Sequence, residues 1–429
     1  MNISKQINWY TIVNNLTGIF LVLYIVSLSA FNEVFPLLGT LMLYSFMLMS
    51  VLYIFIKKNL KGNYYTIAIL LYSILLLVSI IYTPDWRLGL SDIYSFITCA
   101  IIMVLLVNYL DSKDKIYFLI NGFILAGIVL SILVISLNGF SVFSHAAASN
   151  QGYRLGGDIG NANFLGMTFA YSAVFALYMV LNFSNRNKFF LFYITAIVVS
   201  VPFVFLTGSK KALFILVFGI MLIVIFKHAE KNVILKRIFY FVSGIILLTS
   251  VYWLINTVEA FWYIAQRTEE MIGTFTGTGA VSSSDEYRLY MIERGIDAFA
   301  NKPIFGNGVA YSREIFGTYS HNNYIEILMN TGLTGFLIFF SFYAISLYGI
   351  IKWIPKKSPL KLIALFIMIS AIVTDWGLVS YYSRYNQILF VLISVIVCME
   401  KVNIKKSING NYSETRNIII QNETQNKII

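Results

Sequence analysis

The chain is punctuated by runs of about twenty residues almost free of charge, each long enough for a helix to cross the hydrocarbon core of a bilayer. No other feature restricts the fold so tightly. In hydrocarbon every backbone N–H and C=O must be paired inside the protein, so such runs are read as helices. Only 12% of the 429 residues are charged, against roughly a quarter in a soluble domain, which excludes a soluble globular protein. The pattern predicts an all-α polytopic membrane protein of about twelve transmembrane helices, at roughly 9–30, 34–56, 64–82, 92–110, 116–138, 162–182, 189–207, 211–226, 238–257, 324–350, 360–377 and 385–399. One membrane domain then covers 1–400, and 401–429 is expected to be a polar, disordered cytoplasmic tail. The first apolar run leads straight into further spans and is not read as a cleaved leader.

A net charge of +11 would suit nucleic acid, but the basic residues sit mostly in short connectors between spans. The even-numbered connectors and the termini outweigh the odd-numbered ones by roughly two to one, the bias of cytoplasmic loops. Both termini are therefore expected in the cytoplasm. The partner implied is the lipid bilayer, not nucleic acid. Trp9, Trp86, Trp253, Trp353 and Trp376 fall near predicted span ends, as interfacial anchors do. Cys99 and Cys398 lie inside apolar runs and read as packing residues. His145, His228 and His321 are scattered, so no metal cluster is implied. Walker and dinucleotide fingerprints are missing, and no cofactor is expected.

Three odd-numbered connectors, on the side expected to face outward, carry the polar chemistry. At 153–166, YRLGGDIGNANFLG, Gly156, Gly157 and Gly160 loosen the backbone, while Asn161 and Asn163 stand where they can cap the next span. The segment fits a plain glycine-rich turn as well as a binding loop. At 207–213, TGSKKAL, almost no loop separates two apolar runs, so Lys210 and Lys211 sit at or just inside the interface. A cation at that depth is a functional candidate by default, and equally a lysine that snorkels to headgroups. Lys211 is read as snorkelling; Lys210 stays open between the two.

The third connector, 258–323, is a large outer segment between the ninth and tenth spans. Ser283 and Glu286 have capping-box spacing, and Leu289, Ile292, Ile296 and Phe299 recur at helical intervals. They predict an amphipathic helix, ended by Lys302-Pro303, lying on the membrane surface or over a cavity. Arg288 would sit at the edge of its apolar face. His321 opens the tenth span. In helical register it shares a face with Ile325, Leu328, Gly332 and Gly335, beside a polar stripe of Asn322, Glu326 and Asn330. The two glycines would let another helix approach closely, and Glu326 would be placed to orient the histidine.

These motifs resemble the O-antigen ligase and O-antigen polymerase superfamily. Arg154 with Gly157 and Asn161-Ala-Asn163 is similar to its Arg…Gly…Asn-Pro-Asn turn, with Ala162 in place of proline. Ser209-Lys210 is similar to its Ser-Arg pair, with lysine for arginine. Arg288 followed by Pro303 and Gly306-x-Gly308 is similar to its loop arginine and Pro…Gly-x-Gly. His321-Asn322, Leu328 and Gly332-Leu333-x-Gly335 is similar to its His-Asn…Leu…Gly-Leu-x-Gly signature. The resemblance implies a metal-independent membrane glycosyltransferase of the bacterial cytoplasmic membrane. Its donor would be a glycan on polyprenyl diphosphate, its acceptor another glycan or a lipid, and a chain-length regulator a further partner. Polymerisation of repeat units is the expected reaction, with ligation to lipid A core as the alternative. Arg288 and His321 would be catalytic, and Lys210, Arg288 and Arg154 would hold the diphosphate. Lys210 keeps the charge of the family arginine but lacks its planar fork. Asn161, Asn163, Ser209, Asn322, Glu326, Gly332 and Gly335 would support them.

A polytopic transporter or flippase is the competing class. It calls for polar residues near the bilayer midplane and for two similar halves. Neither is legible here, whereas the charged candidates gather at one face.

Overall fold

A computed structural model describes residues 8–143, 154–183, 189–227, 283–356 and 358–425, with scattered positions between 242 and 273. The apolar runs are helices. α1 (Trp9–Val26) passes into a π-helical turn at Ser27–Phe31. α2 (Pro36–Lys57), α3 (Tyr64–Ser79), α4 (Trp86–Tyr109) and α5 (Lys113–Asn138) follow. Then come α6 (Ala162–Phe183), α7 (Phe190–Leu206), α8 (Lys210–Lys227), α9 (Ser283–Asn301), α10 (Tyr311–Phe316), α11 (Asn323–Lys352), α12 (Pro359–Thr374) and α13 (Arg384–Gln425). No strand occurs among the described residues. Seven helices are long and apolar enough to span a bilayer (α1 with its π turn, α2, α4, α5, α6, α11 and α13), and α3, α7 and α12 are shorter apolar helices. The chain is thus a polytopic all-α membrane protein. The span expected at 238–257 falls largely outside the described residues. The tail expected to be disordered instead continues α13 as far as Gln425.

Short polar residues start these helices where the sequence puts them. Asn63 and Thr66 form a reciprocal capping box at α3, Asp85 caps α4 and Ser112 caps α5. Trp9, Trp86, Trp253 and Trp376 are all more than half exposed, at or near helix ends.

The connectors alternate between two ends of the bundle. At one end Lys57 and Lys115 both pair with Asp111, and Lys113 pairs with Glu400. At the other end the 80–85 turn meets the 303–309 loop, where the Tyr82 hydroxyl donates to the Phe305 carbonyl at 3.0 Å. There also Leu155 N–H donates to the Leu206 carbonyl, and Asn323 N–H to the Asp375 carbonyl. The polar odd-numbered connectors therefore share one end.

One expectation about this end is corrected. α11 is not continuous: Gly332 has φ +62° and breaks the helix. The 303–308 loop fills the break. Leu333 and Thr334 N–H donate to the Pro303 and Ile304 carbonyls, and Asn307 and Gly308 N–H donate to the Met329 and Asn330 carbonyls. A Cβ on Gly332 would come within 2.5 Å of the Ile304 carbonyl oxygen. Gly332 thus admits a loop backbone rather than a second helix; Gly335 meets the Thr331 side chain of α11 itself and, beyond it, Tyr72 of α3. The helix expected after Ser283 forms as α9. Its buried face is Met291, Gly295 and Ala298, set against Ile325 and Met329 of α11, while Leu289 and Ile296 are about half exposed. Small residues let α9 lie close on α11. Met291 is buried with them, whereas Ile292 and Phe299 are partly buried.

Candidate functional site

The gathered connectors enclose a cavity of about 510 Å³. Leu28, Ile159, Phe164, Leu165, Met167 and Val379 make one wall apolar. Lys211, His321, Arg384, Asn161, Asn163 and Glu33 supply its polar groups.

His321 lies before α11, not on it. Its φ of +58° is left-handed, a conformation that costs a non-glycine residue on the order of 1–3 kcal/mol. The chain on either side holds it there. Ser320 N–H donates to Glu326 Oε2 at 2.6 Å, and Ser320 Oγ donates to the Asn322 carbonyl at 2.9 Å. The Asn322 side chain caps α11 by accepting from Tyr324 and Ile325 N–H at 3.0 and 3.1 Å. Asn323, fully buried, accepts from Ser380 and Tyr381 N–H and donates to Asp375. The helical face expected to join His321 with Gly332 and Gly335 is therefore broken twice, at the helix start and at Gly332. Glu326 does not orient the imidazole directly. Its carboxylate accepts from Ser312 Oγ and Ser320 N–H, and so fixes the backbone that carries the histidine.

The imidazole packs on Tyr319, with ring centroids 4.2 Å apart. Burial first, then the positive charges of Arg288 and Lys211, pull its pKa down to about 4. It is neutral at neutral pH, with a nitrogen lone pair able to accept a proton.

The expected cations divide into groups. Arg288 Nη1 and Lys210 Nζ bind the two oxygens of one carboxylate, Asp285, at 2.8 and 3.1 Å. Lys211, read from sequence as snorkelling, turns into the protein: it lines the cavity and donates to the Gly377 carbonyl. Arg154 ties two connectors together, through Nε to the Thr207 carbonyl at 3.1 Å and Nη2 to Asn163 Oδ1 at 3.2 Å. Ser209 accepts from Ala212 N–H at the start of α8, and Asn161 accepts from Asn163 N–H at the start of α6. These polar residues build the turns. Lys211, Arg384 and His321 face the space between them.

Sequence reasoning missed Asp285, Asn323, Asp375, Tyr319 and Arg384. Two of these had a signal. Asp285 stands at i, i+3 from Arg288, a spacing that pairs charges on a helix. Asp375 is a lone acid at the end of an apolar run, where a charge calls for a partner. The partnership of Asp285 with Lys210, 75 positions apart, leaves no local trace.

No curated protein matches the chain. A family model does, and it spans the stretch from α7 through the first part of α11, including Ser209, Lys210, Arg288 and His321. Residues 195–340, about a third of the chain, match the family described as O-antigen ligase, the superfamily that the motifs resemble.

Proposed function

We propose that the chain is a glycosyltransferase that moves a glycan from polyprenyl diphosphate to an acceptor hydroxyl at the outer face of the bacterial cytoplasmic membrane. The observation that carries this reading is one cavity with an apolar wall, two cations and a neutral histidine at the end of a membrane bundle. A polyprenyl diphosphate needs that combination: hydrocarbon beside a site for two phosphates. The family match supports the same class of reaction, and the reading favours it over a transporter.

In the step proposed, His321 takes the proton of the acceptor hydroxyl while its oxygen attacks the anomeric carbon. The bond from that carbon to the diphosphate oxygen breaks, and the lipid diphosphate leaves with the electron pair. Lys211 and Arg384 within the cavity, with Arg288 and Lys210 beside it, meet the developing charge. These side chains supply the electrostatics, so the reading requires neither a metal nor a nucleotide. With a pKa near 4 the imidazole is a weak base until the donor binds. The diphosphate would offset Arg288 and Lys211 and raise its proton affinity, so the base is strengthened as the donor arrives.

The reading includes about twelve spans with cytoplasmic termini, and polymerisation of repeat units as the reaction. Ligation to a lipid acceptor is the second reading, favoured by the match of residues 195–340 to an O-antigen ligase family. Proteoliposomes given lipid-linked glycan from the host separate the two. A ladder of extended lipid-linked chains identifies a polymerase, and growth only on an added lipid acceptor identifies a ligase. A cysteine introduced at Ser283 should react with an impermeant reagent on intact cells. Labelling only after permeabilisation would place the site on the wrong side.

A further inference from the structure

A second cavity of about 340 Å³ lies beside the first, and the mechanism above does not use it. The two share three wall residues, Ser95, Tyr319 and Tyr382. Tyr319, which also packs on the His321 imidazole, is thus a partition between them. The second cavity is walled by one ion pair, three hydroxyl side chains, a glycine and two tyrosines, with no aliphatic side chain. Asp92 of α4 and Arg313 of α10 form an ion pair at its wall. Asp92 sits within the first two turns of a spanning helix, where a carboxylate is retained only for a reason.

One reason would be a staple that fastens α10 to α4. The pair is not sealed as a staple would be, since Asp92 is 16% and Arg313 39% exposed. Their one hydrogen bond uses a single N–H of a guanidinium that has five, and one oxygen of a carboxylate that has two. Donors and acceptors therefore remain beside two tyrosine rings. A pyranose ring asks for this arrangement: neighbouring hydroxyls that both donate and accept, and an apolar C–H face that lies on an aromatic ring. The volume is at the low end of the roughly 300–1,000 Å³ found for ligand sites, which suits one or two sugar rings and not a lipid tail.

We propose that this second cavity is a glycan subsite that seats the terminal sugar of the acceptor, with its hydroxyl directed past Tyr319 to His321. Its role as acceptor site rests on the transferase reading; its ability to bind sugar does not.

The test separates the two. Ser91, an exposed wall residue, is replaced by Cys in the full-length protein with Cys398→Ser, and its alkylation by a small maleimide is timed in detergent. The probes are the oligosaccharide released by mild acid from the host's lipid-linked glycan, and polyprenyl diphosphate carrying no sugar. The oligosaccharide should slow alkylation by roughly tenfold at saturation, and the bare lipid should not. Asp92→Asn, which keeps the shape of the side chain, should remove the protection without lowering the thermal midpoint. No protection by the oligosaccharide, or equal protection by the bare lipid, overturns the proposal. In a transfer assay Ser91→Trp, which fills the cavity, should raise the acceptor KM by roughly tenfold or more and leave kcat nearly unchanged. Protection without any transfer by the unsubstituted protein would keep the subsite and remove the transferase reading. Transfer with unchanged KM in Ser91→Trp would do the reverse.

Discussion

Replacing Gly332 by alanine tests the loop-in-helix joint on which the histidine loop depends. Two costs add there. A left-handed φ costs an L-residue about 1–2 kcal/mol. The new Cβ would also stand 2.5 Å from the Ile304 carbonyl oxygen and 2.6 Å from Gly306 N, both backbone atoms that cannot rotate away. If the loop withdraws, it surrenders the four backbone hydrogen bonds at Leu333, Thr334, Asn307 and Gly308. At about 0.5–1.5 kcal/mol each, their loss brings the whole cost to roughly 3–8 kcal/mol. Gly317 is the internal control. Its φ of +68° is nearly the same, but its ψ of −1° is ordinary left-handed backbone where the −163° of Gly332 suits glycine alone, and a Cβ there meets nothing within 4 Å, so Gly317→Ala should cost only about 1–2 kcal/mol. Thermal unfolding of the purified proteins, with amide exchange read at 306–308, compares them. Gly332→Ala should unfold at clearly lower temperature and exchange faster in the loop. Equal midpoints and equal exchange in the two variants would refute the joint.

Further outcomes follow from the site. The folded-state pKa of His321, about 4, lies below its ordinary 6.5, so the unfolded chain binds the proton more tightly. The stability from the neutral imidazole is full above pH 6.5 and is lost as pH falls from 6.5 toward 4; denaturation against pH should flatten over that window in His321→Gln. The acidic limb of kcat/KM, which reports the free enzyme, should fall near pH 4 rather than near 6.5. Arg288→Ala should lower transfer by at least about a hundredfold with normal folding, and Arg288→Lys should also be poor for want of the fork. Removing that charge should raise the pKa of His321, seen by NMR titration. Lys211→Met should weaken donor binding, whereas Lys210→Arg should keep activity; normal donor affinity in Lys211→Met would take it out of the site.

Hydropathy located most of the bundle because a spanning helix is specified by a local quantity, the run of uncharged residues. Span edges agree with the helices to within a few residues, as at α5 and α6, where Ser112 and Asn161 mark the starts. Features set by tertiary contact were not legible. The periodicity of bulky apolar residues in α9 did not pick out the side that packs on α11. Burial here goes to Met291, Gly295 and Ala298, which allow close packing. The continuous helix from His321 to Gly335 failed because its register took no account of a loop competing for the same backbone groups. The motif residues gathered at one end as the connector parity required. The division between turn-builders such as Arg154 and cavity residues such as Lys211 depends on which way each side chain points, and adjacent lysines look alike in sequence.

The central claim is that His321 accepts the acceptor's proton beside a diphosphate held by neighbouring cations. Transfer by reconstituted His321→Ala and His321→Gln, with donor binding measured separately on the same preparations, tests it most directly. Both variants should bind lipid-linked donor as the unsubstituted protein does. His321→Ala should transfer about 10²–10⁴ times more slowly, and His321→Gln, which can hydrogen-bond but not take the proton, should be similarly slow. Full transfer by His321→Ala would contradict the claim, and full transfer by His321→Gln would reduce the histidine to an orienting group.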